Sequence, residues 1–320
     1  MGILATYLSQ ADMESGHIST TAGKFDTEIT DFAWWSPNEF SVGDRWNFPH
    51  NEATGDDTWY HFGIIVDAFD GGDDGHLGWL LDAAANQICK LRLIDGKLQV
   101  EAIGTTTVVS TPTVTVPATL ARWDLHVDRA GAGMTITLYE NGSGTALATA
   151  TITDTGTFGT PAMFQMAHLD HDDAYFSELY MADFDTRDTR PIRQNVNAVG
   201  NHTAWDGAFG NVSDESIMTS IKEATATGKE SYNVETYAGP ATLAGISRVA
   251  IKLRASKGAS GPSNINPLVR IGGTDYSAGN IGPTTTPLIY FAEFLQNPDT
   301  SVDWVKADLD TTEIGVEAIT

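Results

Sequence analysis

In the run RWDLHVD, Trp123, Leu125 and Val127 fall on one side of an extended chain, and Asp124, His126 and Asp128 fall on the other. The same alternation recurs in short runs closed by Gly, Asn, Asp or Pro, while apolar residues at helical spacing are nearly absent. Strands written this way each have one face to bury, and they bury it by stacking sheets. The pattern predicts an all-β chain built from β-sandwiches. KLRLIDGKLQVEAI reads as a hairpin, because Asp95-Gly96 suits the left-handed dihedrals of a tight turn. MTITLYENGSGTALATATI reads as a second hairpin around Asn141-Gly142. SDESIMTSIKEA is the one helix candidate: Ser213 is a fitting cap, Ile217, Met218 and Ile221 share a face, and Gly228 ends it.

Two domains are expected of 320 residues, and a hydrophobic share of 41% is enough to give each a core. Charge marks the division. Up to Arg187 there are 27 acidic and 8 basic side chains, and from Asp188 onward 15 and 10. The reading is therefore a first β-sandwich over 1–187, a polar linker over 188–212 and a smaller antiparallel sandwich over 213–320. In the second domain SRVAIKLRA turns Val249, Ile251 and Leu253 inward and Arg248, Lys252 and Arg254 outward. The net charge of −24 argues against a nucleic-acid partner, since phosphates need Lys and Arg neighbours. No apolar run reaches the ~18 residues of a membrane helix, and no secretory signal opens the sequence. The single Cys89 rules out an internal disulfide.

Three clusters are candidates for chemistry. DAFDGGDDGHLG carries Asp70, Asp73 and Asp74 on a glycine-rich loop, and HLDHDD carries Asp170, Asp172 and Asp173 beside His168 and His171. Hard oxygen ligands on a loop suit calcium, so both are possible calcium loops; a solvated acidic turn between strands explains each as well. In FAWWSP, adjacent tryptophans on a strand face opposite sides, so Trp34 or Trp35 is available to stack on a glycan or seal an interface. No nucleophile elbow, zinc-protease helix or phosphate loop is present. Glu28 with Asp31, and Glu178 with Asp183, have the wrong spacing for two carboxylates on one strand face, so no catalytic residue is assigned. In FSELYMADF, Phe176, Tyr180 and Phe184 alternate with Leu179 and Met181, which predicts a strand covered on both faces, by the neighbouring domain.

FQMAHLDHDDAYFSELYMADFDTRDTR resembles the closing strand and exit segment of concanavalin A-like (laminin-G-like) domains in tailed-phage virion proteins. HFGIIVDAF, LRLIDGKLQVEAIG and RWDLHVDRAGAGMTITLYENG precede it in the order such domains show. TPLIYFAEFLQNPDTSVDWVKADLDTTEIGVEAIT and RVAIKLRASKGASG…NPLVRIGGTDY look like the C-terminal β-domain that follows there. The resemblance implies a concanavalin A-like jelly roll followed by a smaller sandwich, in a non-enzymatic structural protein of tail, fibre or head-decorating type. It implies other virion proteins as partners, homo-oligomers with a trimer favoured, and a virion assembled in the host bacterial cytoplasm. It also implies glycan binding at a host surface, with a lectin or depolymerase as the alternative. It supplies no cofactor beyond the possible calcium.

Overall fold

The computed structural model describes residues 3–7, 18–19, 45–50, 55–66, 75–111, 114–115, 121–153, 159–167, 174–213, 219–237 and 245–320. Every pairing between described strands is antiparallel. The chain divides into two compact units, Met1–Pro191 and Ile192–Thr320.

The first unit opens with β1 (Ile3–Tyr7), β2 (Ile18–Ser19), β3 (Arg45–Pro49), β4 (Asp57–Val66), β5 (Gly75–Asp82), β6 (Gln87–Ile94) and β7 (Lys97–Ile103). It continues through β8 (Thr107–Val109), β9 (Val114–Thr115), β10 (Ala121–Asp128), β11 (Met134–Glu140), β12 (Ala146–Ile152), β13 (Pro161–Ala167) and β14 (Ala174–Ala182). Two sheets form from them: a six-stranded one in the order β1-β14-β4-β10-β11-β12, and a larger one in the order β2-β3-β13-β5-β6-β7-β8, with β9 beside β7. Their facing sides make one core. Tyr60, Phe62, Ile64, Leu125, Ile136 and Leu138 come from the first sheet, and Leu80, Leu91, Leu93, Val100 and Phe164 from the second. Each such side chain contributes about 1.5–3 kcal/mol by leaving water. The Asp95-Gly96 hairpin forms as its sequence demands, with φ of 48° and 70° at the two turn residues. Cys89 is buried, and burial pushes its thiol upward into an unreactive range.

The second hairpin also forms, β11 pairing antiparallel with β12, but its connection is longer than a two-residue turn. Between β11 and β12 only Gly142 takes a positive φ, of 82°, and the loop spans 141–145. Asn141 is occupied elsewhere, as described below.

The second unit is smaller and also all-β. It comprises β15 (Val196–Thr203), a single helical turn α1 (Gly210–Ser213), β16 (Lys229–Val234), β17 (Val249–Ala255), β18 (Asn264–Ile271), β19 (Thr274–Ser277), β20 (Leu288–Phe294), α2 (Lys306–Leu309) and β21 (Glu313–Ile319). A five-stranded sheet, β15-β16-β21-β18-β19, stacks with the β17–β20 ribbon over Tyr237, Ile251, Val269, Phe294 and Trp304. Two expectations are corrected here. The polar stretch assigned to a linker contains β15, an edge strand with most side chains exposed, whose lack of an apolar face hid it. Of the helix expected over 213–224, residues 214–218 lie outside the described residues; 219–224 are not helical, and Lys222 bridges to Asp206 instead.

Candidate functional site

The calcium loops at Asp70, Asp73 and Asp74 and at Asp170, Asp172 and Asp173 lie outside the described residues, as do Trp34 and Trp35. Among the described residues no group of three or more His, Cys, Asp and Glu is arranged to hold a metal ion. The structure instead brings together a polar cluster that no motif announces.

It sits on the side of the six-stranded sheet that faces away from the core. On β4 the alternation that sends Tyr60 and Phe62 into the core sends Trp59 and His61 the other way; on β10 it does the same for Arg122, Asp124 and His126. The register places Asp124 beside His61 and His126 beside Trp59. A β-bulge in β14, between Ser177 and Tyr180, adds Glu178 and Tyr180 to this face. Glu178 takes φ 53°, a left-handed conformation that costs a non-glycine residue about 1–2 kcal/mol. The surroundings must hold it there.

These groups are connected. His61 Nδ1 lies 2.9 Å from Asp124 Oδ1, which also accepts from the Thr186 hydroxyl at 2.6 Å. Asn141 donates to Asp124 Oδ2 at 3.0 Å and to the Arg187 carbonyl at 2.7 Å. Glu178 receives a two-pronged Arg122, at 2.5 and 3.0 Å, and Arg190 at 3.0 Å. His61 Nε2 approaches Glu178 Oε2 to 3.9 Å, an ion-pair separation. Tyr180 packs its ring 5.0 Å from His61 and hydrogen-bonds Thr189 through its hydroxyl.

The cover on this face includes the exit segment itself, residues 183–190. Thr186 is fully buried, and Gly142 N–H donates to the Arg187 carbonyl at 2.6 Å. Arg187 lies 5.3 Å from the Trp59 ring and 4.7 Å from that of Tyr139, while Trp59 stacks on His126 at 4.1 Å. Its guanidinium is steered by Asp185 at 2.9 Å. His61 and Asp124 are 0% exposed and Glu178 is 5% exposed.

Burial opposes a charged imidazolium, but Asp124 and Glu178 outweigh it, so His61 titrates above its ordinary value. Burial also opposes ionisation of Glu178; His61, Arg122 and Arg190 overcome it and hold that carboxyl at about 2. An aspartate, a histidine and a glutamate in this order would serve acid–base chemistry in an open cleft. Here they are sealed from any solute, and their hydrogen bonds hold chain to chain.

Two further polar clusters lie elsewhere in the chain, the first of them more open. In the second unit Asp275 gathers Arg270 at 2.6 Å, Lys229 at 2.8 Å and His202 at 2.9 Å. Burial there is outweighed by these three partners, which hold Asp275 well below the usual carboxylate range. On the outward side of the eight-stranded sheet, Trp79 neighbours His76 at 5.1 Å. Lys90 and Arg92 flank Glu101 at 3.1 and 3.8 Å, and Gln165 donates to Asn47 at 2.5 Å.

Sequence reasoning missed His61, Asp124, Arg122, Glu178 and Arg190 as a group. The available signal was the phase: His61 and Asp124 occupy the polar positions of two alternating strands, and an arginine-rich exit follows.

No family model matches the chain, and no curated protein matches it. Solved structures do. The receptor-binding domain of botulinum neurotoxin type G matches with a TM-score of 0.37 at 7% identity, over 57% of this chain and 44% of that one. A carbohydrate-binding module, CBM66, from Bacillus subtilis matches with a TM-score of 0.34 at 15% identity, over 52% and 94%. Lectin I-B4 from Griffonia simplicifolia, in its metal-free form, matches with a TM-score of 0.39 at 8% identity, over 56% and 98%. An alginate lyase from Alteromonas sp. 272 is also among the matches. These neighbours share a β-rich arrangement with this chain, and at these scores no ligand or activity transfers from them.

Proposed function

We propose that this chain is a non-enzymatic structural and adhesive component of a tailed-phage particle, with its first unit directed toward a glycan-bearing surface. The observation that carries the non-enzymatic part is the sealed cluster. The groups best suited to acid–base work, His61, Asp124 and Glu178, are closed beneath residues 183–190 and engaged with Thr186, Asn141, Arg122 and Arg190. A chain that invests such groups in fixing its own exit segment is suited to bearing load rather than turning over substrate. The particle assignment is supported by the sequence resemblance of that same exit segment, FSELYMADFDTRDTR. Glycan adhesion is supported by the outward side of the eight-stranded sheet, where the part-exposed Lys90 and Arg92 flank Glu101.

Imaging of purified particles tests the assignment. The reading expects the chain in fixed copy number at one place on head or tail, and a stable monomer missing from particles would overturn it. Incubation of the purified chain with surface polysaccharides tests the rest. Retention without cleavage is expected, and depolymerisation abolished by Asp170→Asn or Asp173→Asn would replace this reading with an enzymatic one.

A further inference from the structure

We propose that the two ends of the β17–β20 ribbon are complementary halves of a head-to-tail contact between copies of this chain. This goes beyond the particle assignment and does not depend on it. The ribbon's register runs from Val249 opposite Phe294 to Ala255 opposite Leu288, so its ends lie about 20 Å apart at ~3.3 Å per residue.

At one end Leu288 is 48% exposed, with Arg254 and Lys257 exposed beside it. The Lys257 N–H donates to the Thr284 carbonyl at 2.9 Å, which holds that end in place. No acidic residue occurs in 236–274 or 276–292, so the sequence supplies no neutralising carboxylate along either strand of this end.

The other end is apolar with the opposite charge. Leu295 is 57% exposed, Val302 58% and Val305 55%, an uncommon concentration of large apolar side chains in water. Asp299 and Asp303 are exposed among them. The turn that carries these residues is firmly built. Trp304 is 1% exposed and donates from its indole to the Phe294 carbonyl at 3.0 Å. Asn297 and Val302 pair across the turn, and Ile246 pairs with Trp304. A pre-formed apolar surface loses little entropy on docking.

An apolar, acidic end and an apolar, basic end on one rigid ribbon make a heterologous pair. Copies joined this way close into a ring or extend as a filament, according to the rotation between neighbours. The charges set the direction of approach and exclude like-to-like contact.

Sedimentation of the full chain tests this. Association should rise with concentration and weaken about 10-fold or more as salt increases from ~0.05 M to ~0.5 M. Val302→Lys with Asp303→Lys spoils the acidic end, and Leu288→Glu with Lys257→Glu spoils the basic end. Each variant alone should be monomeric with an unchanged melting midpoint. Mixing the two should restore association, because each retains the half that the other lacks. If one pair lowers the midpoint, Leu295→Ser or Arg254→Ser replaces it at the same end. A wild-type chain that stays monomeric at low salt, a spoiled end that leaves association intact, or a mixture that stays monomeric would each overturn the proposal.

Discussion

Glu178 in the first unit draws in His61, Arg122 and Arg190, and Asp275 in the second draws in His202, Lys229 and Arg270. Each carboxylate gathers one imidazole and two permanent cations, yet the surroundings differ. Glu178 is 5% exposed and its histidine is closed from water, whereas the Asp275 side chain is 17% exposed and the His202 side chain 26%. Water near Asp275 can re-solvate whatever is left when one partner goes. Around Glu178 it cannot, so the same chemistry carries more consequence there.

The largest expected effect follows from that difference. Asp124→Ala or Glu178→Ala should destabilise the first unit by about 3–5 kcal/mol, since each strands a buried partner. Asp275→Ala should cost the second unit about 1 kcal/mol or less. Denaturant unfolding followed separately in the two units checks the ranking, and equal losses would break the comparison.

Backbone strain sharpens it next. At Glu178 the left-handed φ of 53° means that Glu178→Gly should be more stable than Glu178→Ala by about 1 kcal/mol, though both lose the charge. The same pair of changes at Asp275, whose φ is not positive, should favour alanine. Asn141→Ala should cost about 1–2 kcal/mol, because the Asp124 carboxylate and the Arg187 carbonyl both lose a donor.

The pH dependence is the smallest effect and has two signs. His61 titrates above its ordinary value, so its contribution is complete below about pH 6.5 and is lost as pH rises through the folded value. Glu178 titrates at about 2 when folded, so its contribution is complete above its ordinary value of about 4.3 and is lost as pH falls toward 2. His61→Gln should flatten the alkaline slope and Glu178→Gln the acid slope, read as unfolding midpoints across pH.

Much of this architecture is legible in the sequence because it is local. The alternation of Trp123, Leu125 and Val127, and the Asp95-Gly96 turn, need only neighbouring residues to be interpreted. The sealed network is not local. Period-2 reasoning sends Asp124 to the outer face, correctly, and then assigns that face to water. What covers it is a polar segment some sixty residues later, Thr186 to Arg190, which composition alone reads as the start of a linker. The bulge at Glu178 is equally silent, since ELYM carries no glycine to mark a left-handed residue. β15 escaped notice for the converse reason: an edge strand with polar side chains on both faces has no periodic signal.

The central claim is that the first unit's buried polar groups lock its exit segment onto the sheet. Amide hydrogen exchange at Gly142 and Thr189, whose N–H groups donate to the Arg187 and Thr186 carbonyls, measures that lock directly. Protection equal to that of the β10 amides in the wild type, and lost at these two sites first in Glu178→Gln, is the result expected. Exchange at Gly142 and Thr189 several hundred-fold faster than in β10 of the wild type would contradict it.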